Sequence, residues 1–125
     1  MILIGDPIIP CEDVFKISTV EDIKNTKSNS TIIFEFNVDI MTYCKDNKVK
    51  YGVMVSSVKE AIYANALGTK YIISDIYTAE KIQKVAQNYM FDSRILAIIE
   101  QDAQIEQVAL KEIDGVIYKY LIKSI

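Results

Sequence analysis

A chain of 125 residues, half of them hydrophobic and a quarter charged, has the size and balance of one globular domain with its own core. Its net charge of −3 and pI near 4.9 argue against a nucleic-acid binder, which normally carries a basic stripe, and no apolar run approaches the roughly 20 residues that cross a bilayer. Histidine is absent, which removes Ser-His-Asp and Cys-His nucleophiles and His-containing zinc sites, and two cysteines cannot build a four-thiolate metal centre.

The opening MILIGDPIIP lacks a basic n-region and carries Asp6 inside its apolar stretch, so no signal peptide is expected and the cytoplasm is the default location. Residues 2–5 read as a short strand, and Pro7 and Pro10 confine it to an edge or an extended arm. A short extended piece at 14–17 precedes Ser18 and Glu21, whose S-x-x-E spacing opens a helix over about 19–25. The polar run at 25–30 is a loop. Lys24, Lys27, Lys45, Lys48 and Lys50 make the densest basic region, but Glu21, Asp22, Asp39 and Asp46 interleave with them and suggest a solvated mixed-charge surface. Cys11 and Cys44 read as small buried hydrophobes. The many Ile, Lys, Asn and Tyr beside a single arginine, Arg94, suggest an AT-rich bacterial genome.

From residue 31 a repeat takes over. Strands are expected at 31–36, 50–56, 70–74, 94–100 and 116–122, and helices at 38–47, 58–67, 77–90 and 102–112. Asn37 is a plausible N-cap, Ser57 and Glu60 repeat the capping-box spacing, and Gly68 suits a helix stop. Asp114-Gly115 reads as a turn into the last strand. The strands are continuous apolar runs, the sign of a parallel sheet buried on both faces. The expected fold is therefore α/β: a single domain over 1–125, with an N-terminal arm and short helix at 1–30 and β-α repeats at 31–122. Its sheet is mainly parallel, of five to six strands with helices on both faces, a flavodoxin-like open sandwich. The alternative is half of a (β/α)-barrel, which would need a partner to close.

The unit at 53–75 (VMVSSVKEAIYANALGTKYIISD) and the segment IDGVIY at 113–118 resemble repeats of phosphate-binding (β/α)-barrel enzymes of the aldolase and synthase kind. Ser57, Glu60, Ala61, Ala64, Gly68 and Lys70-Tyr71-Ile72-Ile73 carry the likeness. It implies a parallel β/α ancestry. In those enzymes the last strand runs into a Gly-Ser phosphate cradle, whereas this chain continues with Lys119-Tyr120-Leu121.

In open α/β sheets ligands bind beyond the carboxyl ends of the strands. If the strand order from residue 31 is 2-1-3-4-5, Glu35, Asp75 and Glu100 converge there as hard oxygen ligands suited to Mg²⁺, with Lys119 as their electrostatic partner. The plain alternative is that these acids favour helix N-termini. Glu35 is the odder case, a charge between Phe34 and Phe36 in an apolar strand. Asp75 and Lys119 also stand where receiver domains of response regulators keep a phospho-accepting Asp and a Lys. The acidic pair of that family is missing, Glu100 stands where Ser or Thr is expected, and no Met-Pro follows Asp75. Only four glycines occur, and no G-x-G-x-x-G or Walker pattern runs through them. The tail KYLIKSI is apolar and must pack back or lie against another subunit. The expected function is a non-catalytic module that self-associates, as a homodimer, or binds another protein, with no nucleic-acid or membrane partner. The alternative is a small-molecule or Mg²⁺-dependent enzyme using Glu35, Asp75, Glu100 and Lys119.

Overall fold

The computed structural model of the chain describes residues 1–122. Strands β1 (Ile2–Ile4), β2 (Val14–Lys16) and β3 (Thr31–Glu35) surround a short helix α1 (Val20–Ile23). Then α2 (Val38–Asp46), β4 (Tyr51–Met54), α3 (Val58–Ala66), β5 (Tyr71–Ser74), α4 (Ile76–Asn88), β6 (Arg94–Ile99), α5 (Gln104–Leu110) and β7 (Gly115–Tyr118) follow in strict alternation. A 3₁₀ turn at Lys119–Leu121 is the last element among the described residues. The α/β class and the mainly parallel sheet stand as expected; the sheet is parallel throughout and has seven strands in place of five to six.

The order of the strands is not the 2-1-3-4-5 on which convergence of the three acids depends. It is β1-β7-β6-β5-β4-β3-β2, so each repeat simply adds the next strand, and only β1 joins out of turn. The sheet is also curled. Five strand spacings separate β7 from β2, about 24 Å if the sheet were flat. Yet Tyr120 and Leu121, directly after β7, line one cavity with Val14 to Ser18. This is the half-barrel arrangement.

Helices on both faces were expected, and here the structure corrects the sequence. Every buried apolar helix residue, such as Met41, Cys44, Ala64, Ile82 and Val108, belongs to the cluster on the convex face. The concave face holds Ile4, Ile33, Tyr71, Ile73, Leu96 and Ile117, and among the described residues no α-helix packs against it. Curling lets these side chains cover one another, which is why both faces read as apolar. Ile33, Ile73 and Leu96 are fully buried within this one chain.

Local chemistry sets the boundaries. The Asn37 side chain accepts from Ile40 N at 3.1 Å, Ser57 from Glu60 N at 3.2 Å and Asp75 from Thr78 N at 2.8 Å, each satisfying an orphan donor of a helix start. At α1 the cap lies one residue later than the S-x-x-E reading: Asp22, not Glu21, accepts from the backbone of Ser18 and Thr19. All four repeat helices stop in one way. Lys48, Gly68, Met90 and Glu112 each adopt positive φ (56°, 82°, 50° and 60°) two residues past the helix. The following N–H then reaches back: Val49 to Cys44 O at 2.9 Å, Thr69 to Ala64 O at 3.1 Å, Phe91 to Ala86 O at 2.9 Å and Ile113 to Val108 O at 3.5 Å. These are Schellman closures, three of them made without glycine.

The last apolar run is not a strand to 122. It turns after Tyr118, leaves Tyr120 exposed, and seats Leu121 and Ile122 against the concave cluster. This part of the tail packs back. Residues 123–125 of the tail reading lie outside the described residues.

Candidate functional site

The C-terminal ends of the strands form the mouth of the curl, and side-chain alternation decides what faces it. Ile33, Met54, Ile73, Ile98 and Ile117 point to the concave side. The residues two further along, Glu35, Ser56, Asp75, Glu100 and Lys119, continue those rows onto the rim.

The structure distributes the predicted residues rather than gathering them. β4 lies between β3 and β5, so Glu35 and Asp75 are not on neighbouring strands as the assumed order required. Glu35 is the last residue of β3 and is exposed, so its charge between two phenylalanines costs little. It lines two adjoining cavities of about 340 and 330 Å³, both of which it shares with Phe36. Asp75 caps α4, its second oxygen 3.1 Å from Thr78 Oγ1. Glu100 accepts from Lys119 Nζ at 2.9 Å, with both side chains more than half exposed. Such a pair contributes at most about 1 kcal/mol. Among the described residues no group of three or more His, Cys, Asp or Glu is placed to hold a metal ion. Asp75 and Lys119 stand beyond strands that β6 separates.

Glu60 shows why acids collect at this rim. Its carboxylate accepts from Ser56 N at 2.8 Å and Ser56 Oγ at 3.1 Å, tying the strand end to the start of α3. Glu60 and Asp75 serve the helix starts, as the macrodipole favours.

Two polar clusters escaped the sequence reading. The first sits beside the mouth, where the Tyr118 hydroxyl donates to the Asp102 carboxylate and lies 3.1 Å from Asp6 Oδ2. The Asp102 bond, then burial and Asp6, push the Tyr118 hydroxyl above its ordinary pKa, so it stays protonated. Tyr120 Oη donates to Gly5 O at 2.8 Å, and together the two tyrosines fasten the loop after β1.

The second lies at the opposite, N-terminal end of the sheet. Glu12 accepts from Lys70 Nζ at 2.7 Å and from the hydroxyls of Thr31 and Tyr71. Burial by itself raises the Glu12 carboxyl, but the Lys70, Thr31 and Tyr71 bonds and the Lys70 charge outweigh it and hold the group below its usual value. Its partners are 19 to 59 positions away, and no local pattern announces them. Cys11, expected to be buried, is exposed beside this cluster, whereas Cys44 is buried as expected.

Glu12→Gln is expected to lower the unfolding free energy by about 2 kcal/mol at neutral pH, because three donors lose a charged acceptor. The lowered pKa fixes the sign of the pH effect. The contribution is present above the unfolded value of 4.5 and is lost as pH falls through the folded one. Urea midpoints of the two proteins should therefore converge below pH 4.5; a gap that stays constant would show that the carboxylate charge is not what matters.

No protein-family model matches the chain, and no curated protein matches it in sequence.

Proposed function

We propose that the chain is a bacterial, cytoplasmic, non-catalytic module that associates with a second copy of itself or with another protein through its outer helices. The observation that supports this reading is the exposure of large apolar side chains on two helices in contact with each other. Ile62 and Tyr63 on α3 are 49% and 51% exposed, and Tyr77 on α4 is 69% exposed. Lys81 Nζ lies 4.3 Å over the Tyr77 ring and favours one orientation of it. Apolar surface of this kind gains by being covered. The unbridged thiols of Cys11 and Cys44 agree with a reducing compartment.

Sedimentation equilibrium over about a hundredfold range of concentration tests the self-association arm, because a dimer must dissociate on dilution. Ile62→Lys with Tyr63→Lys is expected to leave a monomer with an unchanged melting temperature. A wild-type protein that is monomeric throughout that range would end the homodimer reading.

A second reading is favoured by the two cavities that share Glu35 and Phe36: a small-molecule or Mg²⁺-dependent site at the mouth. A rise in melting temperature on adding Mg²⁺, abolished by Glu35→Gln, would support it over the first.

A further inference from the structure

Three lysines that the sequence scatters among acids are brought to one cavity by the fold. Lys27 lies in the loop before β3, Lys48 is the left-handed residue that stops α2, and Lys50 precedes β4. All three line a pocket of about 320 Å³ at the N-terminal end of the sheet. Ile23, Ile32 and Val49 supply its apolar part, and Ser28, Asn29 and Ser30 add polar groups.

None of the interleaved acids follows them in. Glu21, Asp22, Asp39 and Asp46 do not line the cavity, and Asp22 is turned to the backbone of Ser18 and Thr19. Among the described residues the ion pairs are Lys70–Glu12, Lys111–Glu80 and Lys119–Glu100, so no carboxylate neutralises Lys27, Lys48 or Lys50. The dipole of α2 favours a cation at Lys48. It gives no reason for Lys50 at a strand start or Lys27 in the preceding loop. Three exposed lysines around one hollow of a net acidic protein make a locally basic surface, which favours a multiply charged anion.

We propose that this cavity is an anion site that takes a phosphate group bearing at least two negative charges. The ammonium groups donate charge-assisted hydrogen bonds to its oxygens, and the apolar residues leave room for the carbon skeleton the phosphate is attached to. The site lies at the opposite end of the strands from Glu35, Asp75 and Glu100, and is independent of the association proposed above.

The test uses pyrophosphate as a soluble probe and, in a separate arm, phosphatidylcholine vesicles with and without phosphatidic acid. Saturable amide shifts confined to residues 23–32 and 48–50, weakening as salt is raised, are expected with pyrophosphate. Lys27→Gln, Lys48→Gln and Lys50→Gln should each weaken binding about tenfold, with melting temperatures confirming that each variant is folded. The paired control Lys59→Gln/Lys84→Gln, on exposed positions of α3 and α4, should bind as the parent does. Lysine-dependent sedimentation with phosphatidic acid vesicles, without a response to pyrophosphate, would assign the phosphate to a lipid headgroup. Absence of saturable binding in both arms at low salt would overturn the proposal, as would equal weakening by the control pair.

Discussion

Gly115→Ala is expected to lower stability by about 3 kcal/mol and to loosen β1 from the sheet. Gly115 opens β7 in register with Ile2. A Cβ there would sit 2.6 Å from Ile2 Cβ and 2.9 Å from Ile2 Cα, and would strike the Ile2 carbonyl oxygen. Because the backbone of β1 is the obstacle, shortening the side chain cannot relieve it. Ile2→Ala added to Gly115→Ala should fail to restore the melting temperature. Amide exchange at Ile2 to Ile4 separates the possible results: fast exchange there with protected β4 to β6 is the expected pattern. A Gly115→Ala protein with parental stability would show that the two strands can move apart freely.

Alkali is expected to destabilise the protein steeply between pH 9 and 11. Burial pushes the Cys44 thiol up to about 11. Burial, with Cys44 nearby, pushes the Tyr51 hydroxyl up to about 12. Burial and the Glu12 bond raise Tyr71 further, and Tyr118 moves in the same direction. In each case the folded state holds its proton more tightly than the unfolded chain. The stabilisation is complete below the unfolded values, 9.0 for the thiol and 10.0 for the phenols, and drains away as pH rises through the folded ones. Each such group costs about 1.4 kcal/mol per pH unit over its own window, so Cys44, Tyr51 and Tyr71 together remove about 5 kcal/mol between pH 9 and 11. That is a large part of the 5–15 kcal/mol of a typical domain. Thermal melts from pH 7 to 11 should fall steeply above pH 9, and Cys44→Ala with Tyr51→Phe should flatten the fall. A level melting temperature to pH 11 would contradict the burial of these groups.

The elements were legible because each repeat is written in short-range chemistry. Asn37, Ser57 and Asp75 cap helices within three residues of themselves, and apolar runs mark strands. What lay beyond reach depends on separations that carry no local mark. The apolar runs show that both sheet faces are buried, but they do not show whether helices or the curl itself covers the second face. Asp114-Gly115 looked like a turn. Asp114 in fact accepts from Ile95 N at 2.9 Å, and Gly115 is small because β1 passes against it. Glu35 looked costly because one residue decides whether a charge ends a strand or lies within it. The helix stops at Lys48, Met90 and Glu112 were equally hidden, since a left-handed residue without glycine leaves no trace in the sequence.

The strand order also bears on how the chain reaches this state. Six of the seven strands, β2 to β7, pair with their predecessor or successor in sequence, so each pairing closes only a short loop. β1 is different: Ile2 meets Gly115 across nearly the whole chain. Its loop-closure entropy is the largest in the molecule, and its three residues return little for it. The consecutive strands can assemble by near-neighbour steps, as low contact order allows, while β1 gains nothing until β7 is in place. On this count β1 is the last strand to be ordered.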